Sequence, residues 1–159
     1  MRITAVAGDV PSLPRLLWVV PRADTLVGPQ AEPDTLYWGI PPNPTTDVTR
    51  EPIEVELFAR ANGEVVPVRS WVVRYRIVVG GDTLAPGDTS LVWLVDDAGR
   101  PSAIDTTDAS GVAGRRVRVN SLNDAIDALD SVVISVTVLG ITTPVAGAPV
   151  LITLPVAQR

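Results

Sequence analysis

The stretch Asp105-Thr-Thr-Asp-Ala-Ser-Gly-Val-Ala-Gly-Arg-Arg-Val-Arg-Val-Asn120 decides the fold class. It begins as a turn, because Asp108, Ser110 and Gly111 either hydrogen-bond their own backbone or accept positive φ. It continues as a strand in which arginine and valine alternate over residues 116–119. A period of two predicts one buried and one solvated face, so the rest of the chain must supply neighbouring strands.

The composition favours strands. Hydrophobic residues make up 46% of the 159 residues but aromatic residues only 4%, so valine, leucine and isoleucine must build the core. Branched side chains fit a pleated sheet well, and the 12 glycines and 15 prolines supply frequent turns. The length suits one domain, or one domain with an arm.

Several residue types are missing, and their absence limits the reactions that the side chains could catalyse. The chain has no His and no Cys, and all 13 basic residues are Arg. The usual neutral-pH base, a thiolate nucleophile and a Schiff-base lysine are therefore excluded. The net charge of −5 disfavours nucleic-acid binding, and no stretch is apolar over a bilayer's thickness. We expect no enzyme activity, no cofactor, no nucleic-acid partner and no membrane insertion.

The composition and the hydrophobic pattern of the chain change near residue 50. Residues 1–49 hold eight of the 15 prolines, which predicts an extended arm with one or two extra strands and a polyproline-type linker over 41–46. Residues 50–159 alternate regularly and predict an antiparallel β-sandwich that folds without the arm. Residues 121–130 are predicted as a short helix or an irregular loop. The residues predicted to face inward are Val55, Leu57, Val73, Tyr75, Val117, Val119, Ile134, Val136, Ile152 and Leu154.

Three pieces of residues 51–156 carry a family resemblance. They are an alternating strand that ends in an Ala-Asn-Gly turn, Thr107-Asp-Ala-Ser-Gly-Val112 leading into the Arg/Val strand, and Asp130-Ser-Val-Val-Ile-Ser-Val followed by Ala146-Gly-Ala-Pro-Val-Leu-Ile. The span resembles bacterial immunoglobulin-like modules of the invasin/intimin group, whereas residues 1–49 have no clear counterpart. The resemblance implies an immunoglobulin-like sandwich in an extracellular or cell-surface protein, where such modules act as spacers, adhesin stalks or assembly units.

Acidic residues and arginines provide two further hypotheses. Asp96, Asp97, Asp105 and Asp108 lie in neighbouring loops and are weak calcium candidates, although aspartate is also a common turn residue and the spacing is not that of a calcium loop. We favour the turn interpretation. The arginines of the sandwich strands are expected to pair across strands with Glu54 and Glu56.

Two aromatic side chains, Tyr37 and Trp38, are candidate ligand or interface residues. They predict either a platform on which a sugar stacks or an anchor in a core or interface. A glycan partner therefore stays open at this point.

The apolar run in the arm predicts self-association. Its residues are Leu16, Leu17, Trp18, Val19 and Val20, bracketed by prolines and apolar on both faces. Such a strand must be covered, either by its own sandwich or by strand addition to a neighbouring copy. The leading hypothesis is a self-associating structural subunit of a bacterial surface or secreted assembly, such as a filament or surface layer. The alternatives are a carbohydrate- or receptor-binding adhesin domain and a virion decoration or tail protein.

Overall fold

The computed structural model describes residues 20–159, preceded by the backbone of four two-residue strands. These are β1 (Arg2–Ile3), β2 (Val6–Ala7), β3 (Val10–Pro11) and β4 (Arg15–Leu16). The following strands are β5 (Thr25–Val27), β6 (Leu36–Trp38), β7 (Ile53–Ala61), β8 (Glu64–Pro67), β9 (Val72–Val79), β10 (Asp82–Thr83), β11 (Val92–Val95), β12 (Ile104–Thr106), β13 (Val112–Val119), β14 (Ser131–Val138) and β15 (Val150–Gln158). One 3-10 helix, η1 (Asp124–Ala128), completes the described elements.

The strands from β5 onward form two packed sheets. The first has the order β11-β13-β7-β5, with β8 also paired to β7; the second has the order β10-β9-β14-β15-β6, with β12 also paired to β9. All of these pairs are antiparallel except β15 with β6. An immunoglobulin sandwich places its second, fifth and fourth strands in one sheet and its third, sixth and seventh in the other. Because β7, β13 and β11 face β9, β14 and β15 in this way, the predicted immunoglobulin-like sandwich is confirmed.

The core lies between the sheets, and the alternation seen in the sequence selects it. All ten residues predicted to face inward are buried, with exposures between 0% and 5%. Strand β13, in which arginine and valine alternate, lies centrally between β11 and β7, which explains why Val117 and Val119 are buried. Each such side chain contributes roughly 1.5–3 kcal/mol by leaving water.

Tyr75 ties the two sheets together. It lies in β9, and its hydroxyl donates a hydrogen bond of 2.7 Å to the carbonyl oxygen of Ala113 in β13, on the opposite sheet. Burial raises the pKa of the Tyr75 phenol far above its ordinary value of 10.0, and the nearby charge of Asp105 raises this pKa further. The neutral phenol is therefore the form that the folded protein accommodates.

This raised pKa predicts a loss of stability in alkali. Above pH 10 the unfolded chain releases the Tyr75 proton while the folded chain keeps it, so the free energy of unfolding falls as pH rises, by up to about 1.4 kcal/mol per pH unit. The chain has no Lys or Cys, and its side chains that ionise in this range are therefore its two tyrosines. Thermal unfolding followed by circular dichroism between pH 8 and pH 11.5 measures the effect.

Tyr37→Phe is the matched control and is expected to keep the alkaline loss. Tyr75→Phe is expected to flatten it, and at pH 7 to destabilise the fold by about 1–3 kcal/mol because the Ala113 carbonyl loses its donor. An unchanged alkaline slope in Tyr75→Phe would contradict the assignment.

Residues on the N-terminal side of the predicted boundary contribute to both sheets. Strand β5 pairs with β7 and strand β6 pairs with β15. Their side chains reach the core: Leu26, Leu36 and Trp38 are 2%, 0% and 4% exposed. The boundary at residue 49 stays a prediction, but β5 and β6, which form one edge of each sheet, both come before it.

The segment predicted as a polyproline linker forms a turn held by a buried carboxylate. Asp47 accepts hydrogen bonds from the backbone N–H of Asn43 (2.8 Å) and from the hydroxyl of Ser121 (2.6 Å). Thr49 then donates its backbone N–H to Val117, which attaches the segment to β13. Residues 121–130, predicted as a short helix or a loop, contain the 3-10 helix η1, and Asn123 caps it by accepting from the N–H of Ala125.

Candidate functional site

The acidic candidates lie on different elements and bond their own chain. Asp108 follows β12, and one of its oxygens accepts from the N–H groups of Ser110 (2.8 Å) and Val112 (2.9 Å). Asp96 follows β11 and accepts from the N–H groups of Ala98 and Arg100, both at 2.9 Å. The bond from the Arg100 backbone is the main reason that the pKa of Asp96 lies below its ordinary value. Both carboxylates stabilise turns.

Asp105 joins neighbouring strands of the two sheets. One of its oxygens accepts from the N–H of Gly114 at 2.8 Å, and the other lies 3.0 Å from Nη1 of Arg115. Asp97 is exposed at the turn after β11. Over the described part of the chain, no three acidic side chains come close enough together to hold a metal ion.

The register of β13 against β7 separates the arginines from the glutamates expected to pair with them. Glu54 lies opposite Gly114, and Glu56 lies opposite Val112. The expected ion pairs are therefore not formed within the described residues, and Arg115 pairs with Asp105 instead. The sequence predicts that β7 and β13 are neighbours, but it does not predict their register, and the register decides which side chains lie opposite each other.

The two aromatic candidates face opposite sides of β6. Trp38 points into the core and is 4% exposed, so its ring is packed against protein. Tyr37 is half-buried on the outer side, where the guanidinium carbon of Arg159 lies 4.6 Å from the ring centroid. The pair therefore forms no joint stacking platform, because alternation along the strand separates the rings.

The self-association candidates begin in a strand ladder within the arm. Leu16 in β4 lies opposite Arg2 in β1, and β2 pairs with β3 between them in sequence, so the ladders are nested as in a hairpin. Both ladders are separate from the two sheets of the sandwich. Leu17, Trp18 and Val19 lie outside the described residues, and Val20 is half-buried. Their role in self-association stays a prediction.

Two surface clefts were not anticipated from the sequence. One, of about 700 Å³, lies between residues 28–35 and the start of β7, and its charged lining residues are all acidic: Glu32, Asp34, Glu51, Glu54 and Glu56. The other, of about 300 Å³, lies beside Arg116 and Arg118 of β13. The alternating arginines were visible in the sequence, but the loops that face them come from residues 44–48 and 95–99, and only the fold brings these together.

None of the helical structure described is long and apolar enough to cross a membrane. Comparison with protein-family models, curated proteins and solved structures finds no match to this chain.

Proposed function

We propose that this chain is a non-enzymatic structural module of a bacterial surface or secreted assembly, and that copies associate through the N-terminal arm. The observation that carries the proposal is the pair of nested ladders, β1 with β4 and β2 with β3, which belong to neither sheet of the sandwich. A two-stranded ladder alone is at best marginally stable in water. It gains stability when a further strand or an apolar surface covers it, and a second copy supplies both.

The outer edges of such a hairpin are suited to strand addition. The described strands of the arm form two-stranded ladders, β1 with β4 and β2 with β3, and the outer edges of a two-stranded ladder offer backbone N–H and C=O groups to a further strand. The apolar residues that follow β4 add side chains that favour burial. Contact between the arm of one copy and the sandwich of the next is head-to-tail, and its repetition builds an open filament.

The polar chemistry of the sandwich favours a structural rather than a catalytic role. The carboxylates of Asp96, Asp105 and Asp108 accept hydrogen bonds from the backbone of their own chain, so these side chains hold turns and neighbouring strands in place. A sandwich fold serves many functions, so the proposal depends on the arm and not on the fold.

Sedimentation velocity over a range of concentrations tests the proposal. The full-length chain is expected to form species larger than a monomer as concentration rises. A chain that lacks residues 1–19 retains β5 and β6 and is expected to remain a folded monomer with an unchanged melting temperature.

Two point variants distinguish association through the arm from association through the outer face of the sheet. Leu17→Asp in the full-length chain is expected to abolish association. Leu151→Asp is the matched control, because Leu151 is 66% exposed on the outer face of β15, and association is expected to persist. A full-length protein that stays monomeric at every concentration, or association lost only in Leu151→Asp, would overturn the proposal.

A further inference from the structure

The outer face of β13 carries two arginines that lie side by side. Arg116 and Arg118 are two residues apart and therefore point to the same side of the strand. Across the ladder to β11 they lie opposite Val95 and Trp93. Val95 is 1% exposed, although it lies outside the central core cluster. It lines the cleft of about 300 Å³ with both arginines and gives it an apolar wall.

Neighbouring loops hold one of the two guanidinium groups in place. Nη2 of Arg118 donates a hydrogen bond of 2.8 Å to the carbonyl oxygen of Pro44. On the other side, a Cβ atom on Gly99 would lie 3.8 Å from the same nitrogen, so the turn after β11 packs closely against the guanidinium. The cleft is thus bounded by the loop of residues 44–48, the turn of residues 96–99 and the face of β13.

Both arginines have donor groups that their own chain does not use. The Nε–H groups of Arg116 and Arg118, like that of Arg115, are buried and have no hydrogen-bond acceptor. Neither guanidinium forms an ion pair with any described carboxylate. Asp96, which lines the cleft, is occupied by Arg100, whose Nη2 lies 2.8 Å from it. The two guanidinium groups are like charges on one strand face, and no described carboxylate is paired with either, so this face favours a negatively charged acceptor.

From this arrangement we infer that the cleft between Arg116 and Arg118 binds an oxyanion, a carboxylate or sulfate group carried by a small ligand. Guanidinium groups present a planar fork of donors that matches such oxygens in two-point contact. A volume of about 300 Å³ lies at the small end of ligand pockets, which suits an anionic group on a compact molecule. This binding function is independent of the N-terminal arm and goes beyond the structural role.

Nuclear magnetic resonance of the arginine Nε–H groups tests the inference directly. Sodium sulfate and sodium glucuronate are titrated into the full-length, ¹⁵N-labelled protein, with sodium chloride at matched ionic strength as reference. The Nε–H signals of Arg116 and Arg118 are expected to shift and saturate. The signal of Arg115 is expected to stay, because Arg115 does not line the cleft and its Nη1 is paired with Asp105. Saturation with sulfate alone assigns a free inorganic oxyanion, and saturation with glucuronate alone assigns a sugar acid.

Three substitutions separate the cleft from general charge effects. Arg116→Gln is expected to weaken binding about tenfold, as for the loss of one charge-assisted hydrogen bond. Asp97→Asn removes a carboxylate that lines the cleft and has no ion-pair partner among the described residues, so anion binding is expected to tighten. Arg76→Gln, on the other sheet, is expected to leave anion binding unchanged. The inference is overturned if the shifts do not saturate, or if chloride or neutral glucose reproduces them. It is also overturned if Arg76→Gln reduces them as much as Arg116→Gln does. If Arg116→Gln fails to fold, the wild-type titration alone decides.

Discussion

Removal of residues 1–49 is expected to abolish cooperative folding, whereas removal of residues 1–19 is expected to leave it intact. The longer deletion takes away β5 and β6 and with them Leu26, Leu36 and Trp38, which are buried in the core. Loss of a large buried side chain costs about 2–5 kcal/mol, so three together rival the total stability of a typical domain. It also uncovers one edge of β7 and one of β15.

Thermal unfolding followed by circular dichroism and tryptophan fluorescence checks this prediction. The chain lacking residues 1–19 is the control, since it keeps every described element of both sheets. A cooperative transition in residues 50–159 at nearly the full-length melting temperature would show that β5 and β6 are accessory strands. The sequence interpretation that the sandwich folds from residue 50 onward would then hold.

Gly111→Ala is expected to destabilise the protein by about 3 kcal/mol or more, which is a fall of roughly 10 °C in melting temperature. Gly111 has φ of +81°, a conformation that disfavours any side chain. A Cβ atom there would also lie 2.6 Å from the carbonyl oxygen of Leu57 and 3.1 Å from Cβ of Pro67. The backbone at this point cannot retreat, because the N–H of Leu57 donates to the carbonyl of Gly111 itself.

Gly63→Ala is the matched control for the close contact. Gly63 has a similar φ of +87°, but a Cβ atom there would meet nothing within 4 Å. It should therefore show only the backbone cost, about 1 kcal/mol. Chemical denaturation of both variants gives the two free energies. Equal losses would mean that close packing against Leu57 contributes nothing and that conformation alone requires the glycine at 111.

The fold class was readable from the sequence because alternation is a local property. The spacing of Val117 and Val119 predicted a buried face, and both are buried. Asn62-Gly63 predicted a turn, and both residues have positive φ in the structure. Strands β5 and β6 could not be read in this way. Each has three residues, too few for a period to appear, and each is held by a partner far along the chain.

The sites were harder to predict because they depend on register and on long-range contacts. The pairing of Arg115 with Asp105 rather than with Glu54 was visible in neither segment alone, since a shift of one residue changes which side chains lie opposite each other. The same holds for Asp47, which directly follows the predicted linker and accepts a hydrogen bond from Ser121, 74 positions away in the chain. The invasin-like resemblance, the extracellular location and the self-association remain predictions.

The parallel pairing of β6 with β15 has a mechanical consequence for a module under tension. The two strands run in the same direction, and residues 36–38 of β6 lie beside residues 156–158 of β15. A pull applied before β6 and after β15 drags the two strands past each other along their length. All their hydrogen bonds then resist together, in shear, instead of opening one by one from an end. The β6–β15 pair therefore resists such a pull in shear.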